Sequence, residues 1–151
     1  MRKRAVLSGF VVAMATVGAT LVSAPTASAA GYGCSGSLIS TYAVKDNGGV
    51  TRGNVYLYYN SSNGTNCMAT VKNSAGNYGT ASLTNATLDR CRLGTSGSNC
   101  YSEKKVTDEG LYSYYAGPVS LSADGHCIAI SGQILGPWGT AIVTREGVHC
   151  G

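Results

Sequence analysis

The alternation of apolar and polar positions in the middle of the chain predicts a strand that is covered on both faces. Residues 55–59 are five consecutive β-favouring residues, Val-Tyr-Leu-Tyr-Tyr. Because side chains alternate along a strand, Tyr56 and Tyr58 face one way and the other three residues face the opposite way. The dipeptide Asn63-Gly64 then predicts a tight type I′ turn, and residues 66–72 are expected to form the returning strand. We therefore expect this hairpin to lie at the centre of its sheet.

Similar patterns extend along most of the remaining chain. Further strands are predicted at residues 38–44, 80–88, 112–122, 126–134 and 140–150. Within the third of these, Gly117-Pro118 indicates a sheet edge or a bulge, because proline cannot donate to a ladder. The charged run 103–110 is expected to be a solvated connection. The predicted fold class is all-β: a single small domain of about seven short antiparallel strands, connected as a meander, in a sandwich or a small barrel.

The N-terminal segment has the composition of a secretory signal. Arg2, Lys3 and Arg4 precede an uncharged, mostly apolar run at residues 5–22, and Ala27-Ser28-Ala29 provides an A-x-A cleavage site. We expect residues 1–29 to be removed and residues 30–151 to form the exported domain. No membrane insertion is expected after cleavage, because the rest of the sequence contains no second long apolar run.

Removing that segment changes what the net charge implies. The formal charge is +4, but three of the eleven Lys and Arg residues belong to the predicted signal, which leaves eight against seven Asp and Glu. A nearly neutral domain lacks the basic surface that binds nucleic acid or anionic membranes. Neither is therefore expected to be a partner.

Six cysteines in a small exported domain predict three disulfides. Cys91 and Cys100 are expected to pair, because they are close in sequence and enclose a small polar loop. The other two pairs follow from the predicted strands, since their members fall at the same end of the sheet. These pairs are Cys34 with Cys67, and Cys127 with Cys150.

No residue pattern in the chain indicates catalysis, a metal or a cofactor. His126 and His149 each precede a cysteine, but adjacent strand residues point to opposite faces and cannot share one ion. If the last two strands pair in regular register, the two histidines become diagonal neighbours. A bulge at Glu146-Gly147 would instead leave them independent. The carboxylates Asp89, Asp108, Glu109 and Asp124 are expected in turns or in the charged connection, where such groups are commonplace.

Tyrosine is the one residue type whose abundance suggests a function. All ten tyrosines lie in the predicted exported domain. Tyr112, Tyr114 and Tyr115 flank the predicted edge and are candidates for a binding surface for sugars or a protein partner. The alternative is that tyrosine serves as half-buried packing, which we expect for the tyrosines of residues 55–59.

Residues 55–67, residues 114–128 and the cysteine at position 150 together resemble the spore-associated protein A family, small exported proteins of filamentous actinobacteria. The resemblance runs patchily from residue 38 to residue 150. It implies an extracellular location in association with spores, with spore or cell-wall components as partners and no enzymatic activity. A secreted binding module is the alternative. It would bind wall polysaccharide through exposed tyrosines, or inhibit a protease with the loop at residues 91–100.

Overall fold

A computed structural model describes residues 31–94 and 98–151, so the predicted signal segment 1–29 lies outside the described residues. Eight antiparallel strands form one sheet. Single-turn 3₁₀ helices lie at Gly31–Gly33 and Ser74–Gly76. The strands are β1 (Ser37–Lys45), β2 (Thr51–Asn60), β3 (Thr65–Lys72), β4 (Ser82–Cys91), β5 (Ser102–Tyr112), β6 (Tyr115–Ser122), β7 (Ile128–Gly136) and β8 (Gly139–Val148). The all-β prediction is confirmed, with eight strands instead of about seven. No helix within 31–94 and 98–151 is long and apolar enough to span a membrane.

The sheet curls into a nearly closed barrel. Its strand order is β5-β4-β7-β8-β1-β2-β3-β6, and the two end strands, β5 and β6, pack against each other. The prediction of a simple meander is wrong. Only β1, β2 and β3 follow one another in both sequence and space over three strands, and the connections from β3 to β4 and from β6 to β7 cross to non-adjacent positions. Barrel closure decides between the two architectures that the sequence left open.

The charged run predicted as a connection is the strand β5. It pairs with β4 over its whole length, from Ser82 opposite Tyr112 to Cys91 opposite Ser102. The prediction failed because β5 is an end strand whose first residues are exposed on both faces, so it lacks the apolar alternation of a core strand. Charged residues at such positions protect a sheet edge from pairing with other chains. In consequence, Asp108 and Glu109 lie in β5, and Asp89 lies in β4.

Side chains join β5 to β6 where no backbone ladder is formed. The Asp108 carboxylate on β5 accepts a hydrogen bond from the Gly117 amide of β6 at 2.6 Å and another from the Tyr112 hydroxyl at 2.5 Å. From β4, the Arg90 guanidinium donates to the Ser122 carbonyl at 3.1 Å. Gly117 precedes Pro118, where β6 is irregular opposite Met68 and Thr70 of β3. The prediction of an edge or bulge at this dipeptide is confirmed.

The alternation in β2 separates two apolar clusters, as expected. Val55 and Leu57 are fully buried in the barrel interior with Met68 of β3. On the outer face, Tyr58 packs with the Cys34–Cys67 bridge, next to Tyr32 and Tyr56. A strand flanked by β1 and β3 and covered on both faces is central, as its sequence predicts.

The structure corrects the predicted turn between β2 and β3 and shows which register β7 and β8 adopt. The β2–β3 connection spans residues 61–64, and only Gly64 has a positive φ (64°), so the predicted type I′ turn is wrong. The longer loop is held by the Asn60 side chain, which accepts from the Ser62 amide at 3.0 Å. Between β7 and β8, the register shifts at Glu146-Gly147, where Gly147 has a φ of 60°. This is the bulge that favours independent histidines.

The structure contains the three disulfides in the predicted pairing. The bridges are Cys34–Cys67, Cys91–Cys100 and Cys127–Cys150. Together they use all six cysteines of the chain. The first lies on the outer face of β3, and the other two tie the ends of β4 and of the β7–β8 hairpin.

Candidate functional site

Five tyrosines from four parts of the chain form an aromatic cluster, which we call the tyrosine surface. Tyr32 contacts Tyr56 at 5.2 Å and Tyr115 at 5.4 Å between ring centroids, and Tyr78 contacts Tyr114 at 4.9 Å. Within the cluster, Tyr78 and Tyr114 are 57% and 51% exposed, whereas Tyr32 and Tyr56 are half-buried. The surface thus combines supported rings with rings that are open to solvent.

Backbone hydrogen bonds place Tyr78 against Tyr114. The loop after β3 is capped by the Asn73 side chain, which accepts from the Gly76 amide at 2.8 Å, and Asn77 takes the left-handed conformation at the end of the turn. The next residues are tied to the β5–β6 turn, because the Gly79 amide donates to the Ser113 carbonyl at 2.8 Å. The two exposed rings are therefore carried by loops that are anchored to each other.

A disulfide holds Tyr32 in place. Tyr32 is the middle residue of the 3₁₀ turn Gly31–Gly33, and its backbone φ is 62°. It lies two residues before Cys34, which is bonded to Cys67 of β3. Burial raises the pKa of the Tyr32 hydroxyl, and the nearby hydroxyls of Tyr56, Tyr58 and Tyr78 raise it further. The surroundings of Tyr32 thus favour its neutral hydroxyl over the phenolate.

The three tyrosines predicted as a binding surface are close together, but they have different roles. Tyr114 and Tyr115 belong to the tyrosine surface, and with Tyr112, Ser113 and Gly117 they line an open depression of about 290 Å³. Tyr112 is half-buried, and its hydroxyl donates to Asp108. This hydrogen bond raises the pKa of Tyr112, together with burial and the Asp108 charge. The Tyr112 hydroxyl therefore binds, within β5, the same Asp108 carboxylate that accepts from the Gly117 amide of β6.

Sequence reasoning missed Tyr32 and Tyr78 as members of this surface. Both lie in short loop segments with no strand pattern, and only the folded barrel brings them to Tyr115 and Tyr114. Trp138 is not part of the surface: the Arg52 guanidinium stacks over its ring at 4.1 Å, at the β7–β8 turn. The abundance of tyrosine could be seen in the sequence, but which tyrosines come together could not.

The two histidines occupy separate environments. The His126 Nδ1 atom lies 2.8 Å from the Cys91 carbonyl, at the end of β4. The His149 Nε2 atom is hydrogen-bonded to the Ser40 and Tyr42 hydroxyls of β1, at 2.9 and 3.3 Å. The hypothesis of a diagonal pair is wrong, because β7 and β8 lie between the partners of the two rings. Burial alone lowers the pKa of His149.

The acidic residues are dispersed over the barrel. Asp89 is buried and accepts from the Ser102 hydroxyl at 2.8 Å, Asp108 joins β5 to β6, and Glu109 accepts from the Asn85 amide at 3.0 Å. Within residues 31–94 and 98–151, no group of three or more His, Cys, Asp or Glu side chains is arranged to hold a metal ion. These carboxylates are engaged in contacts within the sheet.

The loop proposed as an inhibitory segment lies only partly within the described residues, since positions 95–97 fall outside them. Its described flanks are open to solvent: Leu93 is 72% exposed and Tyr101 is 70% exposed. The hypothesis that residues 91–100 inhibit a protease stays a prediction.

The fold and its surface define a small β-barrel with three disulfides and an outward-facing tyrosine cluster. The chain is 36% identical over 147 residues to Spore-associated protein A of Streptomyces coelicolor, an alignment that covers 92% of this chain and 84% of that relative. The protein belongs to the spore-associated protein A family. No family model and no solved structure matches the chain.

Proposed function

We propose that this protein is a secreted, non-catalytic component of the spore or cell surface, and that it attaches to wall polysaccharide through the tyrosine surface. The contact of Tyr78 with Tyr114, both more than half exposed and on mutually anchored loops, is the observation that carries the proposal. The name of the S. coelicolor relative and the three disulfides support an extracellular location.

The chemistry of the surface suits an uncharged polymer. Tyrosine presents a flat apolar ring for stacking and a hydroxyl for hydrogen bonding, at low cost in side-chain entropy. The five residues of the surface carry no formal charge at neutral pH, and burial raises the pKa of the Tyr32 hydroxyl above its usual range. Sugar rings offer both an apolar face and hydroxyl groups, so they match the rings and the hydroxyls together.

A sedimentation assay with insoluble polysaccharide tests the proposal. Purified protein would be mixed with cell-wall material from spores and from mycelium, and with chitin and a β-glucan as defined polymers. Tyr78→Ala and Tyr114→Ala should each weaken binding about two- to tenfold, because one ring contact is worth about 0.5–1.5 kcal/mol. Tyr101→Ala is the matched control, since Tyr101 is also exposed and lies outside the surface.

The outcomes separate attachment through the surface from unspecific adhesion. Equal losses in the control and in the two surface variants would refute the role of the tyrosine surface. Binding of the wild-type protein to none of the four materials would refute the proposal that its ligand is a wall polysaccharide. Folding of each variant is checked by near-ultraviolet circular dichroism before binding is measured.

A further inference from the structure

Lys72, the last residue of β3, is a lysine that the fold encloses. It is only 3% exposed, and it continues the inward-facing row of Met68 and Thr70, which are fully buried. No carboxylate within residues 31–94 and 98–151 forms an ion pair with it. Lysine is almost never fully buried unless it is paired with an opposite charge. The burial of Lys72 without one therefore requires an explanation.

The Lys72 ammonium donates hydrogen bonds to three neutral oxygen atoms. The acceptors are the Thr80 carbonyl at 2.6 Å, the Ser82 hydroxyl at 2.8 Å and the Tyr112 carbonyl at 3.3 Å. An ammonium group has three protons, so its donor capacity is filled. Burial lowers the pKa of Lys72, and the three acceptors replace the water that the ammonium has lost.

The acceptors flank the two exposed rings of the tyrosine surface. Thr80 lies two residues after Tyr78, and Tyr112 lies two residues before Tyr114. The backbone amide of Lys72 adds a further bond, to the Tyr114 carbonyl at 2.9 Å. One residue at the end of β3 thus holds both the loop at residues 77–81 and the β5–β6 turn.

We propose that Lys72 is a positioning residue of the tyrosine surface, whose buried ammonium holds the flanking segments so that the Tyr78 and Tyr114 rings stay in contact. Lys72 itself touches no ligand, because it is enclosed. An apolar side chain at this position would leave the Thr80 and Tyr112 carbonyls without this donor. The inference rests on the proposed function, for which it names the residue that orders the surface in advance. Such order avoids the entropy cost of fixing the rings at the moment of binding.

Lys72→Met tests the inference with two separate readouts at equal folded fractions. Nuclear magnetic resonance detects nuclear Overhauser contacts between the Tyr78 and Tyr114 rings, and the sedimentation assay measures binding to polysaccharide. We expect the ring contacts to be lost and binding to weaken about two- to tenfold, which corresponds to the ordering of one side chain on binding. Lys45→Met is the matched control for the loss of a lysine, since Lys45 is exposed on β1.

A second control separates positioning from a general loss of stability. Gly132→Ala crowds Val55 and Thr70 in the barrel interior, so it should destabilise the fold while the ring contacts and binding remain as in wild type. Equal effects of Gly132→Ala and Lys72→Met on the ring contacts would overturn the inference. Ring contacts that persist in Lys72→Met would overturn it as well, and so would their loss without any change in the binding of a polysaccharide that wild type binds.

Failure of the proposed function can be recognised separately. If the wild-type protein binds none of the four materials, the proposed ligand is wrong, but loss of the ring contacts in Lys72→Met still supports the positioning role. The wild-type protein also provides a test that needs no variant, should Lys72→Met not fold. Its Lys72 ammonium protons should exchange slowly with water and show nuclear Overhauser contacts to Thr80 and Ser82. Fast exchange without these contacts would overturn the inference.

Discussion

Removing the disulfides one at a time should destabilise the barrel in a defined order. The bridges Cys34–Cys67, Cys127–Cys150 and Cys91–Cys100 close segments with sequence separations of 33, 23 and 9 residues. The loop-closure entropy for these lengths corresponds to about 3.7, about 3.4 and about 2.6 kcal/mol. Domain stabilities are typically about 5–15 kcal/mol, so each loss is large enough to measure.

Packing increases the difference in stabilisation between the Cys34–Cys67 and Cys91–Cys100 bridges. Cys34 and Cys67 are both buried against Tyr58, whereas only Cys91 is fully buried in the Cys91–Cys100 bridge. One additional buried side-chain group adds about 1 kcal/mol. Loop closure and burial together should therefore make the Cys34–Cys67 double alanine variant about 2 kcal/mol less stable than the Cys91–Cys100 double alanine variant.

Urea unfolding of the three double alanine variants measures this order. With a slope of about 1–3 kcal/mol per molar urea, the midpoints of the first and last variants should differ by about 1 M. The reasoning is refuted if the Cys91–Cys100 variant is as unstable as the Cys34–Cys67 variant at equal slopes. An altered slope would instead show that the bridge acts on the compactness of the unfolded chain.

Three further perturbations test other parts of the structure by chemical unfolding. Burial lowers the folded-state pKa of His149, so this residue contributes its full stabilisation above the unfolded value of about 6.5 and loses it as the pH falls below that value. His149→Asn should therefore reduce the loss of unfolding free energy between about pH 7 and 5. Gly132→Ala should cost about 1–3 kcal/mol, since its Cβ would lie 2.3 Å from Val55 Cγ2, and an unchanged midpoint would contradict that packing. Asp108→Asn should cost about 1–2 kcal/mol by weakening the bond from the Gly117 amide, and equal loss in Glu109→Gln would contradict a specific role.

Short-range pattern was sufficient to predict the central strands and the disulfides. The alternation in residues 55–59 reflects burial on both faces, so it could be recognised without knowledge of the neighbours. The pairing of Cys34 with Cys67 followed because β1 and β3 run in the same direction on either side of β2. Local hairpins therefore made the cysteine arrangement predictable.

Edge strands and long-range closure could not be predicted in the same way. The strand β5 carries Glu103, Lys104 and Lys105 on exposed positions, and it is a strand because β4 provides its ladder. Similarly, Asn66 begins a strand pattern like any polar residue, and only closure of the barrel turns it into a buried, unpaired acceptor. Both features are produced by contacts between distant segments, which leave no local periodicity.

The Cys34–Cys67 bridge links the stability of the fold to the proposed binding surface. Tyr32 lies two residues from Cys34, and its ring is the contact between Tyr56 and Tyr115. Without the covalent tie to β3, ordering that ring would cost conformational entropy at the moment of binding. At equal folded fractions, the double alanine variant of this bridge should therefore bind wall polysaccharide more weakly than wild type, whereas the Cys91–Cys100 variant should bind as wild type does. Equal binding by both variants would show that Tyr32 takes no part in recognition and would restrict the binding surface to Tyr78, Tyr114 and Tyr115.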